Sequence, residues 1–270
     1  MMKEGARMMR NRNTVRFMLA ILLLLFALTA CTQSADNDEI KAIRTRGVLR
    51  VGVKVDVPRF GYLNPDTNVM EGIEVDIAHA IAKDILGDSS LVRFVNITAQ
   101  TRGPMLDNGE IDLVIATFTI TEERKSSFNF SRPYYTDELG YLVRSNSSVA
   151  SPEDLSGKII GVTKSSTAKA AFEDERTRLD IEVGIEEYAS YPEVKAALMS
   201  GKIDAFVTDK SILYGYLDDE CELLDTGFNP QQYGIASKLG NDKLASRVDS
   251  LLETFERNGE LGELLKEWAL

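Results

Sequence analysis

A chain of 270 residues has room for one large domain or two small ones, and 44% hydrophobic, 27% charged and 8% aromatic residues is an ordinary globular composition. The formal net charge of −11 argues against a basic groove for nucleic acid and against attraction to anionic lipid. One His and two Cys make no Cys/His cluster for a transition metal, no Gly-rich phosphate loop is present, and a Ser–His nucleophile has only His79 to draw on. No catalytic residue, metal or cofactor is therefore expected.

Lys3, Arg7, Arg10, Arg12 and Arg16 form a basic segment ahead of the apolar run Phe17 to Leu28. That run falls short of the roughly 20 apolar residues needed to span a bilayer and fits the apolar region of a signal peptide. It ends in Leu28-Thr29-Ala30-Cys31, which resembles the lipobox of bacterial lipoproteins. By that resemblance residues 1–30 are removed and Cys31 becomes the lipidated N-terminus of a mature chain of 240 residues, held on the outer face of the cell membrane. Taking away the net +4 of the first thirty residues leaves −15 on the rest. Cys221 is then the remaining thiol, so no intrachain disulfide is expected, and its neighbours Asp218, Asp219 and Glu220 disfavour a thiolate.

Residues 31–43 read as a tether, small and polar from Thr32 to Asp38, with a helical turn or two from Ile40 to Arg46. Val48 to Lys54 reads as a buried first strand, and Pro58 to Asn68 as a loop or hairpin. Ile73, Ile77, Ile81 and Ile85 recur every four residues, predicting a helix that Gly87 closes, with His79 at its boundary. Leu91 to Ile97 reads as a second strand, and Thr101 to Asn108 as a short helix carrying Arg102.

There the chain begins a phrase it later repeats. Leu106-Asp107-Asn108-Gly109-Glu110-Ile111-Asp112 leads into Leu113 to Ala116 and stops at Thr117. Leu198-Met199-Ser200-Gly201-Lys202-Ile203-Asp204 leads into Ala205 to Thr208 and stops at Asp209, offset by 92 residues (198 minus 106). Each copy reads as a helix end, a Gly suited to a left-handed cap, and a short buried strand. Ligands of parallel α/β sheets bind beyond the carboxyl ends of strands. Thr117 and Asp209 hold that position in two similar lobes, which together describe a clamp for a small polar molecule.

Gly140 to Val143 reads as a further strand, with polar Ser145 to Ser148 marking a boundary. Gly157-Lys158-Ile159-Ile160-Gly161-Val162 then echoes the first strand. A helix starts near Ser166 or Thr167, and Pro192 to Met199 is the helix before the second copy of the phrase. Lobe 1 is placed at 44–143, lobe 2 at 144–233, and the return to lobe 1 at 234–270, with C-terminal helices from Leu244 onward. Crossings near 144 and 233 make a hinge.

Thr117-Phe118-Thr119-Ile120-Thr121-Glu122-Glu123-Arg124 concentrates the chemistry: a strand end, a helix start, and a planar guanidinium that suits a carboxylate. After it comes Phe128-Asn129-Phe130-Ser131-Arg132-Pro133-Tyr134-Tyr135. With Gly72-Ile73-Glu74-Val75-Asp76, a Gly-[Phe/Ile]-[Asp/Glu]-x-[Asp/Glu] signature, these motifs resemble the polar amino-acid family of solute-binding proteins that serve ABC importers. The resemblance covers essentially the whole mature chain, motifs in order. It implies a two-lobed α/β periplasmic-binding-protein fold of type II, each lobe a parallel-type sheet flanked by helices, with a permease and ATPase as partners.

The resemblance also implies site roles. Arg124 takes the ligand's α-carboxylate with Thr119 and, from the opposite lobe, Thr167; Asp209 takes the α-ammonium, shared with the carbonyl of Thr117. Thr101-Arg102-Gly103-Pro104-Met105-Leu106 resembles the Asn-Arg-x-Pro-x-Leu of acidic-amino-acid binders, and Lys54 stands where glutamine-binding relatives carry an Asp. Pocket cations beyond Arg124 favour a second carboxylate, hence glutamate or aspartate. The alternative leaves Arg102 on a helix surface and Lys54 paired with Asp56 or Glu74. A Tyr like Tyr191 reaches the ligand in aspartate/glutamate-binding members, and Phe60 is placed against the ligand's methylenes. Ile73 departs from the family's usual aromatic. The rival readings are a periplasmic dehydratase on the same fold, a binding protein presented to a receptor, and a binder of another polar amino acid such as glutamine.

Overall fold

The computed structural model describes residues 38–270, so the expected signal segment and the expected lipidation site Cys31 lie outside the described residues. Two sheets carry the two halves of the chain. In the first the order is Val92–Asn96, Leu49–Val53, Leu113–Val114, Ala236–Lys238, Phe128–Phe130. In the second it is Gly184–Tyr188, Ile159–Thr163, Ala205–Asp209, Tyr135–Arg144, Cys221–Leu223. Each sheet has three parallel strands ordered second, first, third, followed by an antiparallel strand arriving from the other half of the chain.

The repeated phrase does the same job twice. Gly109 and Gly201 take left-handed φ values of 71° and 73°, turning the chain from helix to strand. Ile111 and Ile203 then pack over Gly52 and Gly161 of the first strands. A Cβ at those glycines would lie 2.6 Å and 2.4 Å from the respective Cδ1 atoms, so any other residue would push the isoleucine ends aside. Asp112 and Asp204 close each copy by donating their N–H to the Arg50 and Ile159 carbonyls and accepting an N–H from the same two residues. Thr117 and Asp209 follow at the carboxyl ends of the strands.

Helix Ile73–Leu86 buries its isoleucine face and ends at Gly87, with φ of 83°. His79 sits half-buried at its margin, its ring edge on Phe94. Helices Asp242–Asn258 and Glu260–Glu267 return to the first lobe, where Trp268 Nε1 donates to Asp76 at 2.7 Å and Arg247 pairs with Asp84. Among the described residues no helix is long and apolar enough to cross a membrane.

Two expected boundaries shift. The helix Glu39–Arg46 begins inside the segment read as tether and seats a fully buried Ile43 in the first core, so the folded lobe starts at 39 rather than 44. The first crossing lies ahead of residue 144. Tyr135–Arg144 is one continuous strand whose Leu139–Val143 stretch pairs with Asp209–Ala205, so it belongs to the second lobe. The polar run 145–148 marks the far end of that strand and not the boundary. The crossing is a ribbon in which Tyr135 pairs with Tyr233 and Leu139 with Phe228, and Tyr233 bridges back to Thr119 in the first lobe.

Candidate functional site

The carboxyl ends of the parallel strands face one another across the lobes. From the first lobe come Lys54, directly after the first strand, Arg102 at the start of the helix Arg102–Asp107, and the segment Thr117 to Arg124. From the second come Thr163, Ser165, Thr167, Tyr191 and Asp209. Lys54, Arg102, Thr117, Thr119, Thr163, Tyr191 and Asp209 are all buried.

Arg124 does not project into solvent. Its side chain turns back so that Nη1 donates to the Thr119 carbonyl at 2.7 Å, while Nη2 reaches across the cleft to the Ser165 carbonyl at 3.3 Å. Arg102 is 5% exposed, so the alternative of a helix-surface Arg does not hold. Its guanidinium lies 3.8 Å from the centroid of Phe118 and donates to the Ala116 carbonyl; that of Arg124 lies 4.7 Å from the same centroid. Phe118, unremarked in sequence between two threonines, is thus the ring that seats both arginines. Burial, then the neighbouring charge of Arg124, pushes Arg102 down to about 9, and burial also lowers Arg124. Among the described residues neither guanidinium is salt-bridged to a carboxylate.

Lys54 is different. Its Nζ pairs with Asp56 at 3.3 Å and sits 4.5 Å from the centroid of Tyr191 in the opposite lobe. Burial lowers its pKa and Asp56 raises it. The expectation of three cations awaiting an anion therefore shrinks to two.

Asp209 supplies the opposite charge. One oxygen takes a weak bond from Thr208 at 3.3 Å; the other, Oδ1, is buried without a partner. Burial, and then nearby Asp137, push its carboxyl up to about 7. The hydroxyls of Thr117 and Thr163 are likewise buried and unpartnered. Buried polar atoms are normally satisfied, so orphans gathered at strand ends mark a place built for a polar ligand. Thr163 was missed from sequence, although Gly161-Val162-Thr163 parallels Gly52-Val53-Lys54.

Thr167 is the residue before the helix Ala168–Leu179, and its hydroxyl donates to Gln231 of the crossing ribbon at 2.8 Å. Phe60 is corrected: it is fully buried with its ring edge on Tyr135 and Tyr233, a hinge core residue and not a wall of the cleft. The lobes touch beyond the cleft as well, where the Tyr216 hydroxyl donates to the Asp56 carbonyl at 2.6 Å.

Two matched α/β lobes, a double crossing, and buried charges of both signs at facing strand ends define a two-lobed solute-binding protein of the ABC-importer type. Residues 49–270 match the model of the bacterial extracellular solute-binding proteins, family 3, and the chain belongs to that family. It is 37% identical to the ABC transporter glutamine-binding protein GlnH of Bacillus subtilis, over 92% of this chain and 94% of that one. It is 32% identical to the glutamate-binding protein GluB of Corynebacterium glutamicum, over 89% and 84% respectively. Among solved structures, the cysteine-binding protein of Campylobacter jejuni superimposes with a TM-score of 0.78 at 28% identity, covering 85% of this chain and 92% of that one. The protein is thus an extracytoplasmic solute-binding protein for polar amino acids.

Proposed function

We propose that this protein captures an acidic amino acid, glutamate or aspartate, between its lobes and delivers it unchanged to the permease and ATPase of an ABC importer. The observation that carries the reading is the pair of guanidinium groups on Phe118, Arg102 buried and Arg124 half-buried, both without a carboxylate partner. Leaving a buried charge uncompensated costs several kcal/mol; a second ligand carboxylate offsets that for Arg102, while the first meets the half-buried Arg124. Arg124 takes the α-carboxylate with Thr119 and Thr167, while Arg102 takes the side-chain carboxylate, with Lys54 and Tyr191 beside it. Asp209 and the Thr117 carbonyl take the ammonium. A ligand touching both lobes favours the closed arrangement.

Glutamine is the second reading. The Lys54–Asp56 pair favours it, because it removes one of the cations that would reject a neutral side chain, and the Bacillus relative is named for glutamine. Calorimetry with glutamate, aspartate and glutamine decides between them. The acidic reading expects glutamate at least about a hundredfold tighter than glutamine, a gap of roughly 2.7 kcal/mol. Glutamine binding as tightly as glutamate replaces it with the second reading. Mass spectrometry of the recovered ligand tests for chemistry: a converted ligand would indicate an enzyme.

We further infer that Cys31 is acylated and tethers the protein to the cell membrane. Cys31→Ala is expected to move the protein to the soluble fraction, and unchanged membrane retention would overturn the anchor.

A further inference from the structure

We propose that Glu74 is the positioning residue that holds the Thr117 peptide for the ligand's ammonium group. The inference rests on the reading above, in which the Thr117 carbonyl shares that ammonium with Asp209. Glu74 belongs to the Gly72-Ile73-Glu74 motif, which no ligand contact in that reading explains. Its side chain has no solvent exposure. One oxygen, Oε1, accepts both the Thr117 N–H and the Tyr134 hydroxyl, each at 2.5 Å, while Oε2 is buried without a partner.

Thr117 is a residue that needs holding. Its φ of 43° puts a β-branched side chain in the left-handed region, which is strained unless the surroundings fix it. The one bond its N–H makes is to Glu74. Tyr134 in turn donates its own N–H to the Tyr233 carbonyl at 2.9 Å, so the same carboxylate oxygen is braced against the crossing ribbon. Gly72 makes the arrangement possible. With φ of 126°, a Cβ there would fall 2.0 Å from the Phe60 carbonyl oxygen, so only glycine lets the helix start deep enough to bring Glu74 beneath Thr117.

The charged groups facing Glu74 are Lys54 and Arg102, which favour its ionised form; burial opposes them and leaves it at about 7. In either protonation state Oε1 keeps its lone pairs for both donors. The role is therefore one of reach and not of charge, and that distinction makes it testable. Glu74→Gln keeps the reach and loses the charge, whereas Glu74→Asp keeps the charge and loses a methylene of reach.

The experiment is calorimetry of glutamate, or of glutamine if that proves the tighter ligand, together with hydrogen exchange of the Thr117 amide by NMR. The glutamine variant is expected to bind within about threefold of the parent with a protected Thr117 amide, and the aspartate variant at least about tenfold more weakly with protection lost. Parental affinity in the aspartate variant would overturn the inference, and so would a glutamine variant as weak as the aspartate one. If the parent binds no polar amino acid, the reading of the cleft fails instead. Amide exchange in the two variants then still reports whether Glu74 holds Thr117.

Discussion

Lowering the pH from 8 to 5.5 is expected to weaken capture through Asp209, and the size of the effect follows from where its carboxyl sits. In the ligand-free cleft burial and Asp137 push it up to about 7, against the ordinary 3.8 of an aspartate. A ligand ammonium at the orphan Oδ1 favours the carboxylate, so binding expels the proton from whatever fraction of Asp209 carries one. With full ionisation in the complex, the association constant falls by a factor of 1 + 10^(7 − pH), about 1.1 at pH 8 and about thirty at pH 5.5, or roughly 2 kcal/mol. Glu74 also sits at about 7, and the Asp209→Asn variant separates its share from that of Asp209. The assay is calorimetry across this range in two buffers of different ionisation enthalpy, which reads proton release directly. Asp209 is expected to release half a proton per ligand near pH 7, and the Asp209→Asn variant is expected to lose that part of the dependence. An affinity constant to within twofold over the range, with no buffer-dependent heat, would refute the argument.

The same shift acts oppositely on the fold without ligand. An acid whose folded pKa is raised contributes stability that is complete below its unfolded value near 3.8 and is lost as pH rises through about 7. Ligand stabilisation, seen as a shift in melting temperature, is therefore expected to grow with pH.

In the proposed reading Arg124→Ala removes two charge-assisted hydrogen bonds to the ligand, each worth roughly 1.5–3 kcal/mol, and is expected to abolish calorimetric binding of every amino acid, with a smaller loss of ligand-free stability from its bonds to the Thr119 and Ser165 carbonyls. Binding within threefold of the parent would take Arg124 out of the site. Tyr216→Phe deletes a bond made between the two lobes. At about 1 kcal/mol it is expected to weaken ligand about fivefold and to raise the radius of gyration in small-angle scattering at low ligand, with no change at saturation. Gly72→Ala forces a Cβ onto the Phe60 carbonyl and is expected to cost more than about 4 kcal/mol or prevent folding, read by urea denaturation; a loss below 1 kcal/mol would contradict the close approach.

The sequence by itself determined the architecture, because its signals are local. Gly-x-Ile-Asp needs only a left-handed glycine, an isoleucine on the buried face and an aspartate to close on the neighbouring strand, and both copies fold alike. The two strand ends that this fixes, Thr117 and Asp209, lie where buried polar atoms stand unpartnered. That Arg102, Arg124 and Lys54 bring positive charge to that end of the sheet came from the resemblance to the family and not from residue type alone.

Only the tertiary structure decided what each charge faces. Lys54 meets Asp56 and a tyrosine ring from the other lobe, Arg102 and Arg124 share Phe118, and Cys221, acidic in its sequence neighbours, has the Lys195 ammonium 2.8 Å from its sulfur. Glu74 acquires its task from Thr117 and Tyr134, 43 and 60 residues away. The strand Tyr135–Arg144 joins the second lobe because of the strand it pairs with, Ala205–Asp209, which lies far along the chain. Hydrophobic period and glycine geometry are properties of a few consecutive residues. The state of a buried charge depends instead on every group brought within a few ångströms and on the water excluded, and those are settled only when distant segments pack.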